Sequence, residues 1–191
     1  MKLAIIRALI PYLTVGLFWC YLDSAWLALV SYHVTILVFR DRTIKLNFKI
    51  NRLGVQLALI TVPSGILTYF LLDYFTKTKI DDWLLSYGLE GTSFLLMIPY
   101  FGLIHPLIEQ IHWSPLRKKT WISHLLFAGY HLLVLSSLLS TVWLIAAFFL
   151  LATVSLTWSI LEEKTEGMTS GVLSHTFADF GIILATWFLI S

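Results

Sequence analysis

Seven stretches of the chain are apolar over most of the length that a membrane-spanning helix needs, and this feature constrains the fold more than any other. A spanning helix takes roughly 20 mostly apolar residues. The stretches are approximately residues 3–22, 24–39, 53–75, 91–108, 121–139, 141–161 and 171–190. Only 13% of the 191 residues are charged, too few to cover a soluble domain. The sequence therefore predicts an all-α, polytopic transmembrane bundle of about seven spans.

Local features refine this bundle. Segment 24–39 is short, so it is expected either to tilt little or only to dip into the bilayer. Pro63 is expected to kink the third span, which neighbouring helices can tolerate. No internal repeat is evident and the connections are short, so residues 1–191 are predicted to form a single transmembrane domain. Cys20 is the only cysteine, which excludes an intramolecular disulfide.

The distribution of basic residues predicts the orientation. With the N-terminus in the cytoplasm, eleven of the 13 Lys and Arg residues fall inside, and only Lys77 and Lys79 fall outside. The inside set is Lys2, Arg7, Arg40, Arg42, Lys45, Lys49, Arg52, Arg117, Lys118, Lys119 and Lys164. The chain is accordingly predicted to be an integral membrane protein with a cytoplasmic N-terminus and an external C-terminus.

Four polar side chains placed in or beside the spans are the candidate functional residues. Polar groups at membrane depth usually face the bundle interior and mark a site. From the helical rise, His131 is expected ~15 Å below the cytoplasmic edge, His175 ~6 Å and Asp179 ~12 Å. Glu109 is expected near the surface, at the end of span four, unless that span runs deeper than its apolar stretch indicates. We predict that the four converge in the cytoplasmic half of the membrane.

Each of these residues also has a purely structural interpretation. A lone His131 on an apolar helix more often hydrogen-bonds a neighbouring helix, and His175 with Asp179 can form a helix–helix clasp. His33 and His124 are interpreted as interior or interfacial contacts, and His105 as a supporting neighbour of Glu109. Interfacial aromatic positions are assigned to Trp26, Trp83, Trp113, Trp121 and Trp187.

Two short motifs in order carry a resemblance to a known family. "FAGYH" (residues 127–131) fits an FxxxH pattern, and "HTFAD" (residues 175–179) fits HxxxN/D. Together with Glu109, they resemble the CPBP family of intramembrane proteases, which includes the type II CAAX-prenyl endopeptidases and the Abi bacteriocin-processing proteins. The resemblance covers roughly residues 90–190, the motif-bearing core.

The first motif of that family, EExxxR, is altered here. The chain reads "EQIHWS", so Gln110 and Ser114 stand where the family has its second glutamate and its arginine. Losing one partner of a buried ion pair costs ~3–5 kcal/mol, whereas two neutral groups can hydrogen-bond instead. The double change is therefore compatible with a folded site. Arg117 follows three residues later, at a different helical phase.

The resemblance implies an intramembrane glutamic-type endopeptidase. In this reading Glu109 and His131 activate water, His175 stabilises the oxyanion and Asp179 orients His175 or donates as a neutral acid. The supporting residues would be Gln110, His112 and Phe127.

The same resemblance implies the cofactors and partners. No cofactor is expected, and zinc ranks second because one Glu with two His is also a zinc ligand set. The expected substrate is a membrane-associated or lipidated peptide or protein near the cytoplasmic face. Membrane lipid is the other expected partner, and nucleic acid is not expected.

Two other classes of function compete with this reading. The altered first motif favours a catalytically silent CPBP-like protein acting in bacteriocin immunity or as a membrane scaffold. A small transporter with a His and acid proton relay is also compatible with polar groups in spans. Transport is disfavoured because no inverted repeat is visible and the polar set clusters on one side of the membrane.

Overall fold

The computed structural model describes residues 2–40, 46–50 and 52–191, without the side chain of Lys2. Arg42 and Lys45, counted above among the basic residues predicted to lie inside, are outside the described residues. Within the described ranges the chain is all-helical and contains no strand; Thr76 and Leu139 form an isolated bridge between two connections. The predicted fold class is confirmed at this level.

The described residues form ten α-helices. They are α1 (Lys2–Phe18), α2 (Ala25–Phe39), α3 (Arg52–Ala58), α4 (Pro63–Phe75), α5 (Ile80–Ser86), α6 (Gly91–Pro99), α7 (His105–Arg117), α8 (Ile122–Leu135), α9 (Thr141–Lys164) and α10 (Thr169–Ile190). A 3₁₀ turn, Leu59–Thr61, joins α3 to α4, and a π-helical turn, Tyr100–Ile104, joins α6 to α7.

Four helical stretches are long and apolar enough to cross a membrane, which indicates an integral membrane protein. They are Arg52–Phe75, Gly91–Arg117, Thr141–Lys164 and Thr169–Ile190. Three shorter apolar helices are Leu3–Phe18, Ala25–Phe39 and Ile122–Leu135. The second long stretch ends well beyond the predicted boundary at residue 108, because the last two turns of α7 carry polar side chains that are buried inside the protein.

The α-helix is interrupted by the 3₁₀ turn just before Pro63, the residue at which a kink is predicted. Pro63 is the first residue of α4, where its missing N–H costs no helical hydrogen bond. Just before it, the Thr61 hydroxyl lies 2.7 Å from the carbonyl of Ala58 and 2.8 Å from that of Ser174 on α10. The interruption is therefore hydrogen-bonded to the neighbouring helix α10, and such contacts let a membrane helix accommodate a proline.

Helix α10 lies at the centre of the packing, against α3, α4, α7 and α9. Its crossing with α4 depends on two glycines. A Cβ placed on Gly65 would lie 2.6 Å from the backbone oxygen of Gly181, so position 65 has no room for a side chain, and a Cβ on Gly181 would lie 3.2 Å from the Gly65 backbone, a tight contact. Such glycine crossings let membrane helices approach closely. Helix α8 packs against α1 and α9 on the other side.

The connections meet in two groups, which define two ends of the bundle. At the basic end, where α7 and α9 finish, Lys49 pairs with Glu166 at 2.5 Å and Asn47 donates to the Glu166 carbonyl. The Lys49 hydrogen bond lowers the pKa of the exposed Glu166. At the opposite end, Lys77 donates to the carbonyl of Ser136 at 2.7 Å. Arg52–Phe75, α8 and α10 therefore run away from the basic end, and Gly91–Arg117 and α9 run towards it.

Candidate functional site

Glu109 lies inside the bundle on α7, with 1% of its surface exposed. Helix α7 continues for eight residues beyond it, so the carboxylate is ~12 Å from the basic end. Glu109 therefore does not lie near the surface, because the helix runs deeper than its apolar stretch indicates, which is the alternative that the sequence left open. The residues around Glu109 in the sequence are polar, but they do not mark a membrane surface. They are buried inside the protein, where α7 packs against α10.

One oxygen of this carboxylate is held by two phenols. Tyr32 on α2 donates to Glu109 Oε1 at 2.6 Å, and Tyr130 on α8 donates to the same oxygen. Trp113 Nε1 in turn donates to the Tyr32 hydroxyl at 3.0 Å. Hydrogen bonds to a charged group stabilise it by ~1.5–3 kcal/mol each. The carboxylate is thus fixed in place by three different helices.

The other oxygen, Oε2, faces two imidazoles. It lies 3.7 Å from His105 Nε2 and 3.6 Å from His175 Nε2. Asp179 Oδ2 lies 3.1 Å from His175 Nε2 and 4.0 Å from His105 Nε2. Neither carboxylate oxygen receives an aligned hydrogen bond from any residue that the structure describes. The structure thus brings Glu109, His175 and Asp179 together, and adds His105, which the sequence suggested only as a supporting neighbour.

His131 reaches this group through its neighbour Tyr130. The Tyr130 hydroxyl lies 3.1 Å from His131 Nε2 and also contacts Glu109. His131 Nδ1 lies 2.8 Å from the Phe127 carbonyl. Because a carbonyl only accepts, Nδ1 must carry a proton. His131 is therefore coupled to Glu109 through a tyrosine.

A second chain of hydrogen bonds runs outwards from His105. Its Nδ1 lies 2.9 Å from Nε2 of His33, and His33 Nδ1 lies 3.0 Å from the Tyr100 hydroxyl. His105 follows the π-helical turn directly, and π turns often occur at functional sites. His33 and Tyr32 both belong to α2, outside the predicted core of residues 90–190. The sequence offers no signal that links these two residues to Glu109.

Beneath the imidazoles, towards the basic end, lies a buried ion pair. Arg117 donates to Glu162 Oε1 at 3.0 Å and to the side-chain oxygen of Gln110. Ser114 donates to the other Glu162 oxygen at 2.5 Å. Gln110 and Ser114 are therefore both hydrogen-bonded, and Arg117 reaches this group despite its different phase from residue 114. Glu162 belongs to a charged stretch of the sequence, residues 162–166, and no motif predicts that it lies beside the site.

The ion pair connects directly to His175. Gln110 Oε1 accepts from Arg117, so the Gln110 amide nitrogen faces His175 Nδ1, at 3.5 Å. Trp158 stacks on the His175 ring with centroids 4.4 Å apart, and the Arg117 guanidinium lies 5.8 Å from the Trp158 ring. Since an amide N–H donates, this contact favours the tautomer of His175 in which Nε2 carries the proton.

The remaining predicted supporting residues lie nearby. The Phe127 ring packs edge-on against His131, with centroids 4.6 Å apart, in addition to its carbonyl contact. His112 packs edge-on against Trp113, and its Nε2 has no hydrogen-bond partner among the described residues. Trp113 is fully buried, so its assignment to an interfacial aromatic belt is wrong.

An apolar cavity of about 420 Å³ leads away from the site. His105, His131 and Asp179 form its polar inner end. The rest of its lining extends to the opposite end of the bundle and includes Trp19, Trp83 and Leu138. A cavity of this size and character suits an apolar ligand or chain segment.

The polar inner end also contains the atoms of a candidate metal site. One ligand atom each from His105, His175 and Asp179 lie within 4.8 Å of one another, and all three residues are buried. Glu109 Oε2 faces the same point at the two distances given above. Two imidazoles and two carboxylates are a donor set that proteins use for zinc.

Comparison with known proteins gives no relative. No protein-family model matches the chain, and neither a curated protein nor a solved structure does. The likeness to the CPBP family therefore stays a prediction from the motifs.

Proposed function

We propose that this protein is an intramembrane endopeptidase of the CPBP type, which hydrolyses a membrane-associated or lipidated peptide or protein without a catalytic metal. The observation that carries the proposal is the position of Glu109. Its carboxylate is buried, with Oε1 held by two tyrosines and Oε2 directed at His175. An ionisable group at membrane depth is costly, so a carboxylate prepared in this way favours function over packing.

Glu109 is the proposed base. A water at Oε2 gives its proton to the carboxylate, and the resulting hydroxide adds to the carbonyl carbon of the scissile bond. As the C–N bond breaks, the same proton is delivered to the leaving nitrogen. Atoms and charges balance over the cycle, and the carboxylate is regenerated.

His131 assists by sharing that proton. With Glu109 ionised, Tyr130 donates to it and accepts from a protonated His131. With Glu109 protonated, a half-turn of the carboxyl group brings the protonated oxygen to Tyr130, which accepts from it and donates to the bare Nε2 of His131. The proton can therefore be held on either residue while both hydrogen bonds are kept, which stores it without leaving a buried charge unpartnered.

His175 is the proposed oxyanion donor. Gln110 favours the proton on Nε2, and that nitrogen lies 3.6 Å from Glu109 Oε2. An N–H placed where negative charge develops stabilises the transition state. Asp179 Oδ2 lies 3.1 Å from the same nitrogen and orients the ring.

The cavity supports the proposed substrate class. Its apolar lining suits the hydrophobic part of a membrane-bound chain, whose scissile bond would lie at the polar inner end. We place the basic end, with the N-terminus, in the cytoplasm of a bacterial cell and count seven crossings. The site then lies in the cytoplasmic half of the membrane.

The proposal is tested by comparing peptide termini in cells that carry this chain natively with cells in which it carries Glu109→Gln. We expect a set of new termini in membrane or secreted proteins that disappears in Glu109→Gln and in His175→Ala. His124→Ala is the control, because His124 bonds Ser155 on α9, away from Glu109. An identical set of termini in all strains would favour the silent binding or immunity protein instead.

A further inference from the structure

One ligand atom each from His105, His175 and Asp179 lies within 4.8 Å of the others, and Glu109 Oε2 lies beside the two imidazoles. His105 Nε2 and Glu109 Oε2 come from α7, and His175 Nε2 and Asp179 Oδ2 come from α10. Four of the six separations between them are 3.1, 3.6, 3.7 and 4.0 Å. Zinc bonds of 2.0–2.1 Å in a tetrahedron place neighbouring ligand atoms roughly 3.4 Å apart. The observed separations lie close to that value.

These atoms are arranged around a common centre instead of being paired. Glu109 Oε2 and Asp179 Oδ2 are buried and accept no aligned hydrogen bond from the described residues, although an imidazole nitrogen is only 3.1 Å from Asp179. A buried, unpartnered carboxylate oxygen carries its full desolvation cost. In a metal cage the lone pairs point at the ion, so ligands lie close without hydrogen-bonding one another. A cation would satisfy both oxygens at once.

We propose that His105, Glu109, His175 and Asp179 bind a divalent cation of the zinc class. Two imidazole nitrogens with two carboxylate oxygens favour zinc over magnesium or calcium. The support around His105 has the form usual for a metal-bound histidine. Its Nδ1 can donate to His33, which can donate to Tyr100, and such outer partners orient the ligating ring.

Cation binding regulates the proposed peptidase, and this step rests on the proposed function. Glu109 Oε1 is already occupied by two tyrosines, so Oε2 is the oxygen that can act as a base. A cation at Oε2 removes that base and also takes the Nε2 position of His175. The cation-loaded protein is therefore the inhibited form.

Gln110 opposes the cation. A metal-bound His175 must carry its remaining proton on Nδ1, where it would face the N–H of the Gln110 amide at 3.5 Å. Arg117 holds the Gln110 oxygen and prevents the amide from turning over. A glutamate at position 110 would instead accept from Nδ1–H, as the outer partners of zinc-bound histidines do. The chain's departure from the family motif thus weakens cation binding.

The test uses full-length protein in detergent, stripped with a chelator and then titrated with Zn²⁺ by calorimetry, with bound metal counted by mass spectrometry. We expect one Zn²⁺ per chain, affinity at least ~10-fold weaker in His105→Ala, and tighter binding in Gln110→Glu. His124→Ala is the matched histidine control and should bind like the wild type. Bound Co²⁺ should give the visible spectrum of a tetrahedral ion.

Absence of stoichiometric Zn²⁺ binding, or equal affinity in the wild type and His105→Ala, would overturn the site. A loss of affinity in His105→Ala could also come from misfolding. Gln110→Glu distinguishes the two causes, because an unfolded protein cannot gain affinity. Peptidase activity separates the two proposals. Binding without cleavage in either form defeats only the proposed function, and cleavage without binding defeats only the cation site. Cleavage that requires Zn²⁺ would overturn the inhibitory role.

Discussion

Arg117 lies seven residues after Gln110 on helix α7 and donates to its side-chain oxygen, while the same guanidinium nitrogen lies 3.0 Å from Glu162 on α9. Positions seven apart on a helix share a face, because two turns take about 7.2 residues. An ion pair between two helices thus supports the site here, where the resembled family's motif has its acid and arginine within one helix. This arrangement explains how Gln110 and Ser114 are tolerated.

Breaking this ion pair should destabilise the protein strongly. Arg117 and Glu162 each have 1% side-chain exposure, so removing one partner strands a buried charge at a cost of ~3–5 kcal/mol. We expect Arg117→Met and Glu162→Gln each to lower the midpoint of unfolding in detergent. The double variant should lose less stability than the sum of the losses in the two single variants.

The exposed pair Lys49–Glu166 is the matched control. Its side chains are 52% and 74% exposed, so Lys49→Met should leave the unfolding midpoint nearly unchanged. If Arg117→Met were no more harmful than Lys49→Met, the buried pair would not support the site.

The helical segments were predictable from hydropathy, because each spanning helix must hide its backbone in an apolar run of sufficient length. The residue at which α7 ends was not predictable in this way. Arg117 and Glu109 are polar, and a local pattern cannot distinguish a helix leaving the membrane from one whose polar face is buried against another helix.

The candidate site was predictable only where motifs mark it. Glu109, His131, His175 and Asp179 stand out because isolated polar residues in apolar runs are rare. Tyr32 and His33 join them from the distant helix α2, and no spacing rule in one sequence reports which helices become neighbours. Their contribution had to come from tertiary packing.

Tyr130 should matter more for catalysis than Tyr32, although both donate to Glu109 Oε1. Only Tyr130 also contacts His131, so Tyr130→Phe interrupts proton transfer between Glu109 and His131. Tyr32→Phe removes only a hydrogen bond that positions the Glu109 carboxylate. On the proposed function, we expect kcat to fall at least ~10-fold further in Tyr130→Phe, since proton transfer contributes about 10²–10⁴-fold to rates. Equal losses in the two variants, measured with a cleaved peptide, would mean that Tyr130 acts only by holding the carboxylate.

Cys20 provides a test of orientation. It is exposed and follows the last residue of α1, at the opposite end from the basic loops. A membrane-impermeant maleimide should label it on intact cells if the N-terminus is cytoplasmic, and only in inside-out vesicles if the chain is reversed. Cys20→Ser controls for other sites. Partial burial and Asp23 raise the pKa of the Cys20 thiol, so labelling should continue to accelerate as the pH rises past the usual thiol value of ~8.5.

Gly65 should tolerate no side chain, whereas Gly16 should. A Cβ on Gly65 meets the backbone of Gly181, which cannot move aside as a flexible side chain would. Gly65→Ala is therefore expected to force α4 from α10 and cost ~1–3 kcal/mol. Gly16 lies within α1 with no atom within 4 Å of such a Cβ, so Gly16→Ala should be neutral or stabilise by up to ~1 kcal/mol through helix propensity. Unfolding midpoints in the same detergent measure both, and equal midpoints would show that α4 and α10 do not cross at these glycines.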